Sequence, residues 1–495
     1  MAVTRSRLIQ LLVWFGLATI SSVIGAHNNP VCRKKISSNP TTVIGPSTFK
    51  DLVEKSSVFV DKTLFIKEFL ESTPQVTLIT YPKRWGKTLN MDMLKTFLQI
   101  EVDEKGKRVI YKNAYNYLLF KEGHTNTGDI TLLNVAAHNH IIKMYLNAFP
   151  VIHISFDGIR HPTFEGAFEF IQTVIKKLFE EHAYLLKVWK KVISKAKKKD
   201  EKEKYRGWTS SLKNYLSGEF TVSEAEDSLR FLSSMLKEHY QQDVFVLIDD
   251  YDQPLSGILT ANPRPEKEKE VKLLVEFMSN LMTRTFHDNA SLKKGLITGI
   301  VRMARKSFFS GLDNLKEYNI LFNKYWQFYG FTRYEVDHLL KEFDITETLS
   351  KQAKHYYSGY TIADDINSDQ YNPWDIVKFV DSEEVENYWM EAGPFPFAAQ
   401  MFIRKIPTSP IMTTLLRKGE AELQLNGLEF STEDIIKVKD MLFPKFKIEK
   451  EADDWLFLRI LYTFGFLTYD RNSPKVISRV RIANKEIHDE LHDRD

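Results

Sequence analysis

The sequence predicts an α/β fold, with a mainly parallel sheet covered by helices and a mostly helical C-terminal region after it. Three observations lead there. Apolar, β-branched runs at Val76–Thr80, Val244–Asp249 and Gly295–Ile300 have the length and composition of buried strands. Between them, apolar residues recur at helical spacing, and strands alternating with helices over residues 50 to about 325 call for a parallel sheet covered on both faces. Past that point the helical pattern dominates, broken by short loops at Ser358-Gly359-Tyr360 and Tyr371-Asn372-Pro373-Trp374.

The first segment is a targeting signal. Arg5 and Arg7 precede the apolar run Leu8–Ile24, which ends in Gly25-Ala26 before polar His27-Asn28-Asn29. A basic start, an apolar centre and small residues at the cut site describe a secretory signal peptide over residues 1–26. The run of 17 residues also reaches the lower limit for spanning a bilayer, so an uncleaved N-terminal anchor is the alternative. No later segment has spanning length. Residues 27–48, with Pro30, Pro40, Gly45 and Pro46, read as a linker; residues 49–325 form the α/β domain and 326–495 the helical C-terminal region.

Within the domain, Asp61 is placed to cap a helix bearing Leu64, Phe65, Phe69 and Leu70. The strand Val76–Thr80 leads into Tyr81-Pro82-Lys83-Arg84-Trp85-Gly86-Lys87-Thr88, and a helical pattern follows through Leu89, Met93, Leu94, Phe97 and Leu98. Strand, Gly-Lys-Thr loop and helix make a phosphate-binding loop, although Tyr81 stands where a glycine is usual. The free N–H groups of the helix start attract phosphate. In that setting Lys87 reaches the β- and γ-phosphates and the Thr88 hydroxyl holds Mg²⁺. A second strand is expected at Pro150–Asp157. A long helix should then run from Phe164 to about Lys199, ending in a solvated basic run, and another from Val222 to Tyr240. The next strand delivers Asp249, which suits Mg²⁺ ordered through water, and Asp250, where a hydrolytic ATPase places the carboxylate that activates water.

Composition removes other classes. A net charge of +3 gives no case for a nucleic-acid binder. Cys32 is the only cysteine, so no intramolecular disulfide can form. The 13 histidines show no paired metal-ligand spacing. Asn289-Ala290-Ser291 is a glycosylation sequon, relevant only to an exported chain.

Several ordered motifs carry a resemblance. Phe59-Val60-Asp61-Lys62-Thr63, the loop Pro82–Thr88 and Leu247-Ile248-Asp249-Asp250-Tyr251-Asp252-Gln253-Pro254-Leu255 resemble the AAA-ATPase-like family. So do Ile297-Thr298-Gly299, Phe309–Leu315, Phe328–Thr332, Tyr357–Tyr360, Tyr371–Trp374, Gly465–Thr468 and Ile482–Glu486. The resemblance implies a P-loop ATPase core of the additional-strand type followed by a helical region, with ATP and Mg²⁺ as ligands. It also explains the missing glycine, since members carry Arg there. By the same resemblance Lys83 and Arg84 lie near the phosphates. Trp85 belongs to the same loop, as a packing residue more than as a partner for adenine. Thr298 either senses the γ-phosphate or is a strand-end hydroxyl satisfied by backbone. Arg302 and Arg305 are candidate phosphate donors to their own or a neighbouring subunit; only donation to a neighbour would call for a homo-oligomer.

Two departures matter. Where the family has Asp-Glu, this chain has Asp249-Asp250, and the shorter acid puts hydrolysis in doubt. Many members continue into a PD-(D/E)XK nuclease-like domain, which the residues up to Asp495 do not include, so nuclease activity is not expected. The expectation is a secreted, nucleotide-binding ATPase-like protein. The alternative is a secreted, non-enzymatic effector or binding protein that keeps the fold. Its protein target is not readable.

Overall fold

The computed structural model of the chain describes residues 30–35, 40–103, 107–260, 267–320, 324–361, 369–392, 409–423, 428–441, 447–448, 450–470 and 478–492. The signal segment and residues 27–29 of the expected linker lie outside these.

Inside the span read as a linker, Val31–Arg33 forms a short strand, β1, antiparallel to β2 (Val58–Val60), with Val31 opposite Val60. Both strands are largely buried, and Cys32 is part of the core. The helix Phe49–Lys55 between them is capped by Thr48, whose hydroxyl accepts the Asp51 N–H. Asp61 does not itself cap the next helix, Leu64–Glu71. Its Oδ1 accepts the N–H and the hydroxyl of Thr63, the capping position, at 2.8 and 2.7 Å, and its Oδ2 accepts the Asn134 N–H at 2.7 Å.

The central sheet has five parallel strands: β3 (Val76–Thr80), β4 (Val151–Ser155), β5 (Val244–Asp249), β6 (Leu292–Gly299) and β7 (Leu315–Asn319), in spatial order β4-β5-β6-β3-β7. The runs read from sequence as strands occupy its four contiguous positions. β7 completes it at the edge beside β3, pairing Thr80 with Asn319. β6 lies between the strand that feeds the loop and the strand that delivers the acids. Register sets Thr80 opposite Gly299, Ile248 opposite Ile297 and Ser155 opposite Asp249. The carboxyl ends of β3, β4, β5 and β6 therefore meet at one sheet edge, where open α/β sheets place their ligands.

The helix expected to run from Phe164 to about Lys199 is instead broken into Phe164–Glu181 and Leu185–Lys195, and a third helix, Lys199–Ser217, folds back. Buried Trp189 stacks on Tyr205 with ring centroids 5.0 Å apart and meets Trp208 edge-on, contacts that hold the third helix against the second. Lys195, Lys197, Lys198 and Lys199 are exposed, as a solvated end requires.

The C-terminal region is mostly helical and also contains two small antiparallel sheets. One orders β8 (Phe331–Thr332), β10 (Asp369–Tyr371) and β9 (Tyr360–Thr361). The other orders β11 (Ala421–Leu423), β13 (Ser478–Ile482) and β12 (Leu467–Tyr469). Val31, Val58 and Val60 of the N-terminal hairpin share a core with Val336, Leu339, Ile376 and Phe379 of this region. Among the described residues, no helix is long and apolar enough to cross a membrane.

Candidate active site

The loop between β3 and the helix Lys87–Leu98 turns at Gly86, whose φ of +83° is left-handed and favours a residue without Cβ. Arg84 also has a left-handed backbone, at φ +69°, a conformation that costs a side-chain-bearing residue about 1–2 kcal/mol. Packing holds the loop in this shape. Trp85 is fully buried, edge-on to Tyr360 at 4.8 Å, and Tyr81 stacks on Tyr329 at 5.0 Å. The C-terminal region adds hydrogen bonds: Gly330 N–H to Trp85 O at 3.3 Å, Trp389 Nε1 to Lys83 O at 3.2 Å, and Asn90 Nδ2 to Phe328 O at 2.8 Å. Tyr81, at the usual glycine position, is thus a core residue anchoring the loop.

Lys87 is buried, and its Nζ donates to Tyr81 O at 3.0 Å and Pro82 O at 2.8 Å. Burial lowers the affinity of the ammonium for its proton, and the carboxylates of Asp250, Asp249 and Asp252 oppose that shift. Thr88 is exposed one position further on. Lys83 is half-buried, and burial followed by the neighbouring Arg84 and Arg160 cations depresses its ammonium.

The acids stand across from the lysine. Asp249 is fully buried; its Oδ1 accepts a short hydrogen bond from the Thr298 hydroxyl and another from Asp250 N–H at 3.1 Å. Its Oδ2 is buried, with no hydrogen-bond partner among the described residues. Asp250 is half-buried at φ +51°; burial first, then Asp249, pushes its carboxyl up to about 8, while Lys87 pulls the other way. Asp252 accepts Ile300 N–H at 3.0 Å and Val301 N–H at 2.7 Å, fastening the acidic segment to the end of β6.

A cavity of about 300 Å³ is lined by Lys83, Arg84, Gly86, Lys87, Thr88 and Asp250 among others; Asp249, directly before Asp250 in the chain, is not itself one of the lining residues. Arg302 stands apart from it, pairing with Glu317 and with Glu429 at 2.7 Å. Arg305 joins the same Glu317 at 3.1 Å. Both arginines are therefore engaged within the chain. Thr298 is fully buried, with its proton directed to Asp249.

The structure also brings in residues that sequence reading did not assign. Asp157 and Arg160, just past β4, line the cavity, as do Gln253 after the acids and Trp374 of the helical region. Asp157 had a signal of the same kind as Asp249, an acid closing an apolar run. Trp374 belongs to one of the motifs that carry the resemblance, but nothing in the motif signals a place in the cavity, which depends on how the C-terminal region docks.

An oxygen-rich cation fits this arrangement. A buried, unpartnered carboxylate oxygen costs about 1–3 kcal/mol or more, and coordination or an ordered water would satisfy Asp249 Oδ2. Mg²⁺ keeps several waters and is held by one or two carboxylates together with phosphate, so it needs no dedicated protein cage. Among the described residues no group of three His, Cys, Asp or Glu side chains could hold a metal.

Comparison with known proteins agrees with the geometry. Residues 43–309 match the family described as "Predicted AAA-ATPase". An "Uncharacterized protein in vnfD 5'region" of Azotobacter chroococcum mcd 1 is 24% identical over 196 residues, which are 39% of this chain and 36% of that relative's length. The chain thus spans little more than a third of that relative. The family match extends over more than half of the 495 residues and takes in β3, its loop, both acids and β6, and the chain belongs to the AAA-ATPase-like family.

Proposed function

We propose that the cavity binds ATP with Mg²⁺. The carrying observation is the bare Oδ2 of buried Asp249, held by Thr298 opposite a lysine folded onto its own loop. On binding, Lys87 Nζ exchanges the carbonyls of Tyr81 and Pro82 for β- and γ-phosphate oxygens. The exposed Thr88 hydroxyl and Asp249 are the protein groups that would hold the cation, directly and through water. Mg²⁺ held there would supply positive charge against the phosphates of the nucleotide. Lys83, Arg84 and Arg160 supply positive potential at the mouth, and Asp250 faces the position of an attacking water. Thr298 acts by orienting Asp249, since its proton is already given to that carboxylate. We assign no phosphate contact to Arg302, which two glutamates hold elsewhere.

Equilibrium binding of labelled ATP, with and without Mg²⁺, tests this. The wild type should bind in a Mg²⁺-dependent way, and Lys87→Ala should weaken binding on the order of 100-fold, as expected for deleting a buried charged partner. Equal and negligible binding by both proteins would sink the proposal.

A second reading is favoured by Asp250. The shorter acid, in surroundings that keep its proton on, describes a site that binds nucleotide and turns it over slowly or not at all. In that case the protein acts as an exported binding or effector protein through its nucleotide-dependent shape. Export is our reading of the N-terminal segment, residues 1–26.

A further inference from the structure

We infer that Trp374 is the face on which the nucleobase stacks, and that the Arg84 guanidinium occupies that place in the free protein; this rests on the nucleotide site proposed above. The cavity lining is of two unlike kinds. The phosphate loop contributes Lys87 and Thr88. Val43, Pro46, Val377 and the Trp374 ring contribute apolar surface. A ligand that is polyanionic at one end and flat and aromatic at the other matches both.

The protein fixes the ring without help from the cavity. Trp374 opens the helix Pro373–Ser382, its N–H donates to Asn372 Oδ1 at 2.8 Å, and its Nε1 donates to Tyr388 O at 3.1 Å. The main chain of the N-terminal segment lies close against it. Gly45, at φ +60°, leaves no room there, since a Cβ would come within 2.9 Å of the ring. Trp374 is therefore a stationary platform.

Its present cover is removable. The Arg84 guanidinium carbon lies 4.0 Å from the ring centroid, a cation–π contact, and Arg84 makes no ion pair among the described residues. Arg84 belongs to the phosphate loop and is exposed. A stacked base replaces the guanidinium on the ring, and the guanidinium is then free to pair with phosphate oxygens, for which its planar fork is suited. One exchange serves both ends of the ligand. The chemical class selected is a nucleoside polyphosphate over a bare polyphosphate.

The test compares Mg²⁺–ATP with Mg²⁺–tripolyphosphate binding to the full chain, as wild type, Trp374→Phe and Trp374→Leu. Stacking of a base on an aromatic side chain corresponds to about 10-fold or more in affinity. Trp374→Phe should hold ATP within about threefold of wild type. Trp374→Leu, which keeps apolar bulk without a ring, should weaken ATP about 10-fold or more and leave tripolyphosphate unchanged. The tryptophan fluorescence change on adding ATP should be reduced in Trp374→Phe. Arg84→Gln should weaken both ligands. Unchanged ATP affinity in Trp374→Leu overturns this inference alone, and so does a parallel loss of both ligands in that variant. Failure of the wild type to bind either ligand overturns the nucleotide site itself.

Discussion

Asp250 is one methylene shorter than the glutamate that the family resemblance leads one to expect at this position, and its surroundings also oppose ionisation. Burial comes first and the adjacent Asp249 second; together they raise the carboxyl to about 8 against the pull of Lys87. Near pH 7 the free protein therefore keeps a proton on the group that we propose accepts one from water. kcat/KM for ATP hydrolysis by the wild type, which reports ionisations of the free protein, should accordingly rise between pH 7 and pH 9. Asp250→Glu restores reach, and since about 1 Å of misplacement can remove on the order of 100-fold in rate, the variant should be faster by up to that factor. A glutamate variant no faster than wild type across this range counts against distance as the limit. The acids were legible because a wholly apolar run delivers them. The bond from Thr298 to Asp249 was not, because it depends on β6 lying beside β5, and residue order alone does not contain that adjacency.

Between elements, the most consequential junction joins the helix Pro373–Ser382, which bears Trp374, to the C-terminal helix Lys485–His492. Asp375 and Glu486 are both fully buried, one from each helix. Glu486 Oε1 accepts the N–H groups of Trp389 at 2.9 Å and Met390 at 3.1 Å, and the Trp389 indole in turn holds Lys83 O of the phosphate loop. Burial and then Glu486 push Asp375 well above the carboxylate range, while burial raises Glu486 to about 7. The groups facing the pair are Tyr357, Tyr360 and Glu490, none of them a cation. The folded state thus binds more protons than the unfolded state between about pH 4 and 7. Its stabilisation is fully present below the unfolded values and is lost as pH rises through about 7. Urea unfolding should show stability falling by on the order of 2 kcal/mol from pH 5.5 to 8.5, and Asp375→Asn should flatten that slope. A wild-type profile flat over this window would exclude a shared proton. Neither this junction nor β7 could be read from sequence. The pair is built from residues distant in the chain, and β7 (Leu-Lys-Glu-Tyr-Asn) is a mixed edge strand without the apolar signature that exposed its four neighbours. The long helix was misread for a related reason: its apolar spacing continues through the turn at His182–Tyr184, so residue order does not mark the break, and the fold-back that sets Trp189 on Tyr205 is a contact between separate helices.

For the molecule as a whole, the export we propose and the fold place separate demands on the N-terminus, and the two meet within a few residues. Among the described residues the first strand is β1 at Val31, whose partner strand β2 shares a core with the helical region. Cleavage after Gly25 or Ala26 leaves that strand intact with a short lead, whereas an uncleaved anchor would hold a bilayer immediately beside it. Redox state should not matter to the mature fold. Cys32 is the only cysteine and is buried, its Sγ lies 3.3 Å from Thr131 O, and burial and then Asp61 push its thiol up to about 12, far from a reactive thiolate. Such a chain needs no oxidising compartment to fold, and export would neither add nor remove a covalent constraint. N-terminal sequencing of material released from expressing cells should therefore begin near His27, and its thermal unfolding midpoint should be the same with and without reductant. A product starting at Met1 and confined to membranes would establish the anchor instead. A midpoint lowered by reductant would show Cys32 paired between chains, which its burial under Thr131 and against the β1–β2 hairpin argues against.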